Sequence, residues 1–228
     1  MSIRYPHVFS PIRIRGVDYM HGSRYSVIPD QIETGTLMIA AAATHGDVII
    51  RGCIPTHMEA LTAKLLEMGV QVTDTDDTIR VRSERPHRAV NIKTQEYPGF
   101  PTDLQAPMMT VCCKAKGQSV FLETIFENRF RQVAALRRLG ADITVCGRTA
   151  EIRGVRRLHG AELTATDLRG GASMILAGLC AEGETVVCDS GHITRGYDAF
   201  DRVLQELGAD VKWTAIGTRD PLSELPKG

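Results

Sequence analysis

Three stretches of this chain close on nearly the same signal: Leu66-Glu67-Met68-Gly69-Val70, Leu139-Gly140-Ala141-Asp142 and Leu207-Gly208-Ala209-Asp210. They recur at a spacing of roughly 70 residues, and a fixed period of that kind constrains a fold more than any local propensity does. The elements ahead of each come in one order. An apolar helix opens on an acidic-threonine turn: Glu33-Thr34-Gly35-Thr36, Pro101-Thr102-Asp103-Leu104-Gln105 and Ala165-Thr166-Asp167-Leu168-Arg169. Each helix is expected to end at a glycine (Gly46, Gly117, Gly183), because glycine takes the left-handed cap without steric cost. A short β-rich run follows, namely Val48-Ile49-Ile50, Ser119-Val120-Phe121-Leu122 or Thr185-Val186-Val187-Cys188. After a polar loop comes a second helix, clearest in Val133-Ala134-Ala135-Leu136-Arg137-Arg138-Leu139 with its apolar residues at helical spacing. Strands such as Asp142-Ile143-Thr144-Val145 and Ala150-Glu151-Ile152-Arg153 close the unit.

Each unit therefore reads as β-α-β-α-β-β, and three copies fill residues from about 30 to 213. One copy alone cannot bury both faces of its helices, so the expected α/β (α+β) fold packs three units around a shared centre with pseudo-threefold symmetry. Residues 1–29 do not fit the unit and read as a remnant of another domain, with a strand at Ile12-Arg13-Ile14. Residues 214–228 read as a polar tail.

Composition narrows the class of partner. Lys and Arg number 27 against 27 Asp and Glu, so the formal net charge is zero. A nucleic-acid binder carries a basic excess; here anionic partners must be met by local arginines, which favours a small substrate. The six cysteines form no CxxC pair and no zinc spacing. They are expected as small buried hydrophobes in a reducing compartment rather than as disulfides. No signal-peptide pattern and no apolar run of membrane-spanning length is present, so the expected location is the cytoplasm.

The helix starts are where chemistry is expected. Unpaired N–H groups there carry partial positive charge, and three such starts pointing one way make an anion-attracting surface. Asp103 follows Pro98-Gly99-Phe100-Pro101, whose prolines are expected to hold the approach extended. An aspartate at a helix start is ordinarily a cap; the same carboxylate can also accept a substrate hydroxyl and act as a base. Asp167 and Arg169 hold the equivalent place in the third unit, readable as a cap with a solvated arginine or as part of a site. Arg129, in Phe126-Glu127-Asn128-Arg129-Phe130, and Arg195, in His192-Ile193-Thr194-Arg195-Gly196-Tyr197-Asp198, lie in loops before second helices. From there an arginine can bind phosphate or carboxylate bidentately, although most arginines are simply surface residues. No Walker loop, GxGxxG or Ser/His/Asp arrangement is present.

Taken in order, Ile32-Glu33-Thr34-Gly35-Thr36, Phe100-Pro101-Thr102-Asp103-Leu104-Gln105-Ala106, Phe126-Glu127-Asn128-Arg129-Phe130, Ala165-Thr166-Asp167-Leu168-Arg169 and Arg195-Gly196-Tyr197 resemble the UDP-N-acetylglucosamine 1-carboxyvinyltransferases, a family of enolpyruvyl transferases. The resemblance runs from about residue 12 to 213. It implies the inside-out α/β barrel of that family, with helix starts facing a cleft between two domains. It implies enolpyruvyl transfer from phosphoenolpyruvate to UDP-N-acetylglucosamine with release of phosphate, the first committed step of peptidoglycan precursor synthesis and so of cell wall, cell shape and division.

The same resemblance assigns roles. Asp103 would contact the attacking sugar hydroxyl and serve as its base. Ile125 would touch the UDP-sugar through its backbone, and Arg195 would bind the phosphate of phosphoenolpyruvate. Arg129 and Arg169 would line that anionic pocket with Asp167 in support. No metal or organic cofactor is implied. The family's reactive cysteine loop and its Lys-Asn pair find no counterpart here, and family chains are about twice as long. The chain is therefore expected to be a C-terminal half, inactive alone or completed by an N-terminal half. The alternative is a non-catalytic UDP-sugar-binding module.

Overall fold

A computed structural model describes residues 13–84 and 86–214. Its centre is three helices buried almost throughout. Helix α1 (Gln31–Ala43) opens on Asp30, whose carboxylate accepts from the Ile32 N–H at 2.7 Å. The cap lies three residues ahead of the expected turn, so Glu33 and Thr34 sit inside the first turn and Gly35 and Thr36 deeper still. After strand β1 (Asp47–Arg51) come α2 (Glu59–Met68), β2 (Gln71–Asp74), β3 (Thr78–Arg82) and the short β4 (Ile92–Lys93). Helix α3 (Gln105–Cys112) follows, with every residue buried, and tolerates Pro107 because the first turn has no carbonyl to receive its missing N–H. Next are β5 (Gln118–Leu122), α4 (Val133–Arg138), β6 (Asp142–Cys146), β7 (Thr149–Arg153) and β8 (Glu162–Thr164). The chain continues through α5 (Leu168–Cys180), β9 (Val186–Cys188) and α6 (Phe200–Glu206).

Helices α1, α3 and α5 pack on one another. Met38, Ile39, Leu104, Met108, Met109 and Met174 are wholly buried where they meet. Each such side chain contributes about 1.5–3 kcal/mol relative to exposure. Thr110 donates to the Ser173 carbonyl across the α3–α5 seam at 3.2 Å.

Three sheets surround these helices, ordered β1-β3-β2, β4-β5-β7-β6 and β8-β9. In the first, Val48 pairs with Val81 and Ile50 with Ile79. Ile79 and Val81 turn inward while Arg80 and Arg82 turn out to meet Asp47. That alternation is the mark of an antiparallel sheet with one dry face. The second sheet repeats it with Ala150 and Ile152 inward. Strands β4 and β5 run parallel around α3, and β8 and β9 run parallel around α5.

Several local expectations are corrected. The glycines do not cap the buried helices: α1, α3 and α5 end at Ala43, Cys112 and Cys180. Gly117 and Gly183 take positive φ farther on, in the turns that feed the next strand, and after α1 His45 rather than Gly46 takes the left-handed conformation. Residues 95–100 do not approach α3 extended; they close a loop, with the Gln95 N–H donating to the Phe100 carbonyl and the Gly99 N–H to that of Glu96. Arg13 and Ile14 are not in a strand. Ile12 and almost all of the expected tail lie outside the described residues. The cysteines are unpaired; Cys53, Cys112 and Cys113 are buried as expected, but Cys180 and Cys188 are only half-buried and Cys146 is exposed. Burial pushes the Cys112 thiol up to about 12 and Cys113 higher still, so neither is a thiolate nucleophile. No helix among the described residues is long and apolar enough to cross a membrane.

Candidate functional site

Asp103 does not cap a helix. It sits in a short 3-10 turn (Thr102–Leu104) ahead of α3 that has no side-chain cap. Its carboxylate faces outward instead, to two arginines, one from the loop ahead of α4 in its own unit and one from the start of α5 in the next. Arg129 Nη2 donates to one oxygen, and Arg169 Nε donates to the other at 3.1 Å. Residues 26 and 66 positions apart thus meet at one carboxylate. Both pairs are partly buried, so solvent screens them less than a surface pair.

Each arginine is braced from behind. Arg129 lies 5.1 Å from the Phe126 ring centroid. Its loop turns on Asn128, in the left-handed region that asparagine tolerates. Arg169 is not the solvated residue allowed for above: its side chain keeps 13% exposure and lies 5.3 Å from the Tyr197 ring centroid. Burial pulls the Arg169 guanidinium down, but Tyr197 and Asp103 more than offset this and hold it above its ordinary value. Tyr197 is itself buried, and burial pushes its phenol up. Thr36 spends its proton on the Ile32 carbonyl, so in the 2.9 Å contact between the two hydroxyls it is Tyr197 that donates. Helix α1 thereby reaches Asp103 through Thr36, Tyr197 and Arg169. Arg169 Nη1 is buried and has no acceptor among the described residues. A buried cationic N–H left unpaired is costly; this one is suited to an anion.

Asp167 is a cap, accepting from the Gly170 N–H at 2.7 Å to start α5. It thereby fixes the turn that carries Arg169. Arg195 stands apart: it is exposed, makes a 3.0 Å contact with His192 Nδ1, and touches neither Asp103 nor the other two arginines. Its backbone is nonetheless tied to α5. A Cβ on Gly171 would lie 2.7 Å from Ile193, so only glycine lets the Arg195 turn sit this close to the helix. Asp189 accepts from the His192 and Ile193 N–H groups at 2.9 and 3.2 Å and pins the same turn. Glu33, on the first turn of α1, is raised by burial and then by the charges of Asp30 and Asp198.

Ile125 is organised by a residue that the sequence does not single out. Glu123 is 1% exposed. One of its oxygens accepts from Thr94 Oγ1, Ile125 N–H and Phe126 N–H at 2.9, 2.8 and 3.1 Å. The other accepts from Thr102 Oγ1 at 2.9 Å. One buried carboxylate thus ties the residue after β4, the residue before Asp103 and the loop that leads to Arg129. The available signal was the set of hydroxyls at 94, 102 and 124 around a lone acid ending an apolar strand. Among the described residues no group of three or more His, Cys, Asp or Glu is placed to hold a metal ion.

Asp103, Arg129 and Arg169 are therefore assembled directly, Ile125 and Asp167 hold backbone around them, and Arg195 rides on the edge. Such a cluster offers an anionic proton acceptor beside cationic N–H donors, equipment for binding an anion next to a hydroxyl that must lose its proton.

The chain is similar to known carboxyvinyltransferases. The profile of the EPSP synthase (3-phosphoshikimate 1-carboxyvinyltransferase) family matches residues 3–204. A UDP-N-acetylglucosamine 1-carboxyvinyltransferase of Caldanaerobacter subterraneus subsp. tengcongensis is 56% identical over 200 residues, 88% of this chain and 48% of that protein. One of Desulfofundulus thermocisternus is 51% identical over 205 residues, 90% of this chain and 84% of that protein. Among solved structures, the enolpyruvyl transferase NikO from Streptomyces tendae aligns with a TM-score of 0.75 at 28% identity, covering 82% of this chain and 44% of that one. EPSP synthase from Acinetobacter baumannii aligns with a TM-score of 0.66 at 19% identity, over 83% and 48%, a likeness of fold. The chain spans about half the length of most of the curated relatives it matches. It belongs to the EPSP synthase family, and its curated relatives there carry the name UDP-N-acetylglucosamine 1-carboxyvinyltransferase.

Proposed function

We propose that this chain forms one half of an enzyme that transfers the enolpyruvyl group of phosphoenolpyruvate to UDP-N-acetylglucosamine, releasing phosphate. The observation that carries this reading is the Asp103 carboxylate held between Arg129 and Arg169. Asp103 accepts the proton of the attacking sugar hydroxyl. Arg129 and Arg169 hold anionic groups of the substrates, and the unpaired Nη1 of Arg169 favours this. Arg195 binds the phosphate of phosphoenolpyruvate from its exposed turn. Asp167 keeps Arg169 in register through the cap on α5. The Ile125 N–H is taken by Glu123, which leaves the Ile125 carbonyl as the backbone group for the sugar nucleotide. The hydroxyl oxygen adds to C2 of the enol phosphate double bond while C3 gains a proton, and loss of phosphate from C2 with a proton from C3 restores the double bond as an enol ether, work for proton transfer and fixed positive charge.

In this reading residues 30–213 form three units of an inside-out barrel, of which only β4-α3-β5-α4-β6-β7 shows the whole β-α-β-α-β-β order among the described residues; the first has no strand ahead of α1 and the third none after α6. Supporting it are the mutual packing of α1, α3 and α5 and the matching strand order β1-β3-β2 and β5-β7-β6. Residues 1–29 belong with a second domain, which supplies the acid that protonates the enolpyruvyl group, and 214–228 are a tail.

Mixing the purified chain with the other half of a relative tests this. Phosphate release from phosphoenolpyruvate should require both halves and UDP-N-acetylglucosamine, and Arg195→Ala should raise the KM for phosphoenolpyruvate. Steady release by this chain alone would contradict the division of the site between halves.

A further inference from the structure

Helices α1, α3 and α5 all start at the Asp103 end of the molecule. At their other ends a cavity of about 390 Å3 opens between Ala43, Lys114 and Cys180, that is, on the last turns of all three helices or just beyond them. The rise of 1.5 Å per residue puts it roughly 20 Å from the Asp103 cluster. Its wall includes His45, His87, Lys114, Lys116 and Arg156, and no carboxylate among the described residues.

Helix ends attract cations, so the first question is whether the carbonyls there account for these charges. They account for one. Lys114 Nζ donates to the Cys180 carbonyl at 3.4 Å. Other carbonyls at these helix ends already have donors. Gly46 N–H serves Ala41, the Cys180 thiol serves Ala43, and Val155 N–H serves Cys113. Lys116 and Arg156 thus have no structural acceptor among the described residues. The nearby ion pair to Glu182 is made by Arg157, not by Arg156.

The two histidines add one neutral donor, on the ring that accepts from Ser83. Their rings stack with centroids 5.0 Å apart. Ser83 Oγ stands 2.8 Å from His87 Nε2 and 3.2 Å from His45 Nδ1. A hydroxyl has one proton, so Ser83 donates to one ring and accepts from the other, which fixes both rings against the cavity. Burial, then His45, then Lys114 lower His87 to about 4. Burial and Lys114 also lower His45. The wall is therefore positive and uncompensated, with polar hydrogens from three chain segments converging on one space.

We propose that this cavity is a second anion site, separate from the Asp103 cluster, that takes a small phosphate dianion, either free or as the phosphate of a small ester. Lys116 and Arg156 supply the charge, Lys114 the inner ammonium and His45 a directional contact. The volume is that of a small-molecule site.

Titrating the full chain with inorganic phosphate, and separately with glycerol 1-phosphate, at constant ionic strength tests this. The imidazole resonances of His45 and His87 report the result. The expected result is a saturable shift of both, weakened about tenfold or more in Lys116→Ala/Arg156→Ala and retained in Arg169→Ala. Tighter binding of the ester identifies an ester as the ligand; equal binding identifies free phosphate. A shift linear in phosphate and matched by chloride overturns the proposal. So does a saturable shift kept in the double variant and lost in Arg169→Ala. Both changed side chains are exposed, so the double variant should keep the wild-type melting temperature.

Discussion

Asp103 and Glu123 are two carboxylates with opposite environments. Asp103 is partly exposed and paired with arginines; Glu123 is buried and paired with hydroxyls and backbone N–H groups. Glu123→Gln puts an amide NH2 against one donor or three, depending on which oxygen it replaces. It should cost about 1–3 kcal/mol of unfolding free energy in denaturant titration. It should also weaken UDP-sugar binding, because Thr102 and Ile125 lose their shared anchor. A destabilised variant with unchanged binding would separate Glu123 from the site. Asp103 was legible in the sequence as a helix-start acid and through the motif around it, but its partners were not. Arg169 is 66 residues away, and no local periodicity states which arginine a carboxylate will meet. Glu123 was missed because a single acid at the end of an apolar strand looks the same in sequence whether water or four donors receive it.

At the scale of elements, two turns set the geometry of the arginines. Asp167→Ala removes the cap of α5 and should cost about 1 kcal/mol, with Arg169 loosened at the same time. Gly171→Ala would push Ile193, 2.7 Å from the added carbon, and with it the Arg195 turn. The expected outcome is a higher KM for phosphoenolpyruvate in the reassembled enzyme with a smaller effect on UDP-sugar affinity. Most elements were legible because glycines and the Leu-Gly signal punctuate them. Strands β1, β5, β7 and β9 and helix α4 lie within a residue or two of expectation. The start of α1 was placed late because Asp30, not Glu33, satisfies the first N–H groups. The glycines were misread as helix caps because a positive-φ turn before a strand and one after a helix use the same residue.

At the scale of the molecule, the far end of the three-helix core makes stability depend on pH. His87 falls from 6.5 to about 4, so the folded state favours its neutral form. That contribution is complete above pH 6.5 and is lost as pH falls toward 4, because the unfolded chain gains the proton first. The melting temperature should therefore drop between pH 7 and pH 5 by more than in His87→Gln, and equal drops would remove His87 as the cause. The broader claim is that one buried helical core presents two charged ends, with the Asp103 cluster at the helix starts as the catalytic one. Calorimetry of UDP-N-acetylglucosamine binding to the wild-type chain and to Asp103→Ala tests that claim most directly. Weak binding that disappears in the variant, with the fold intact, is the predicted result. Equal affinity in the two would contradict it.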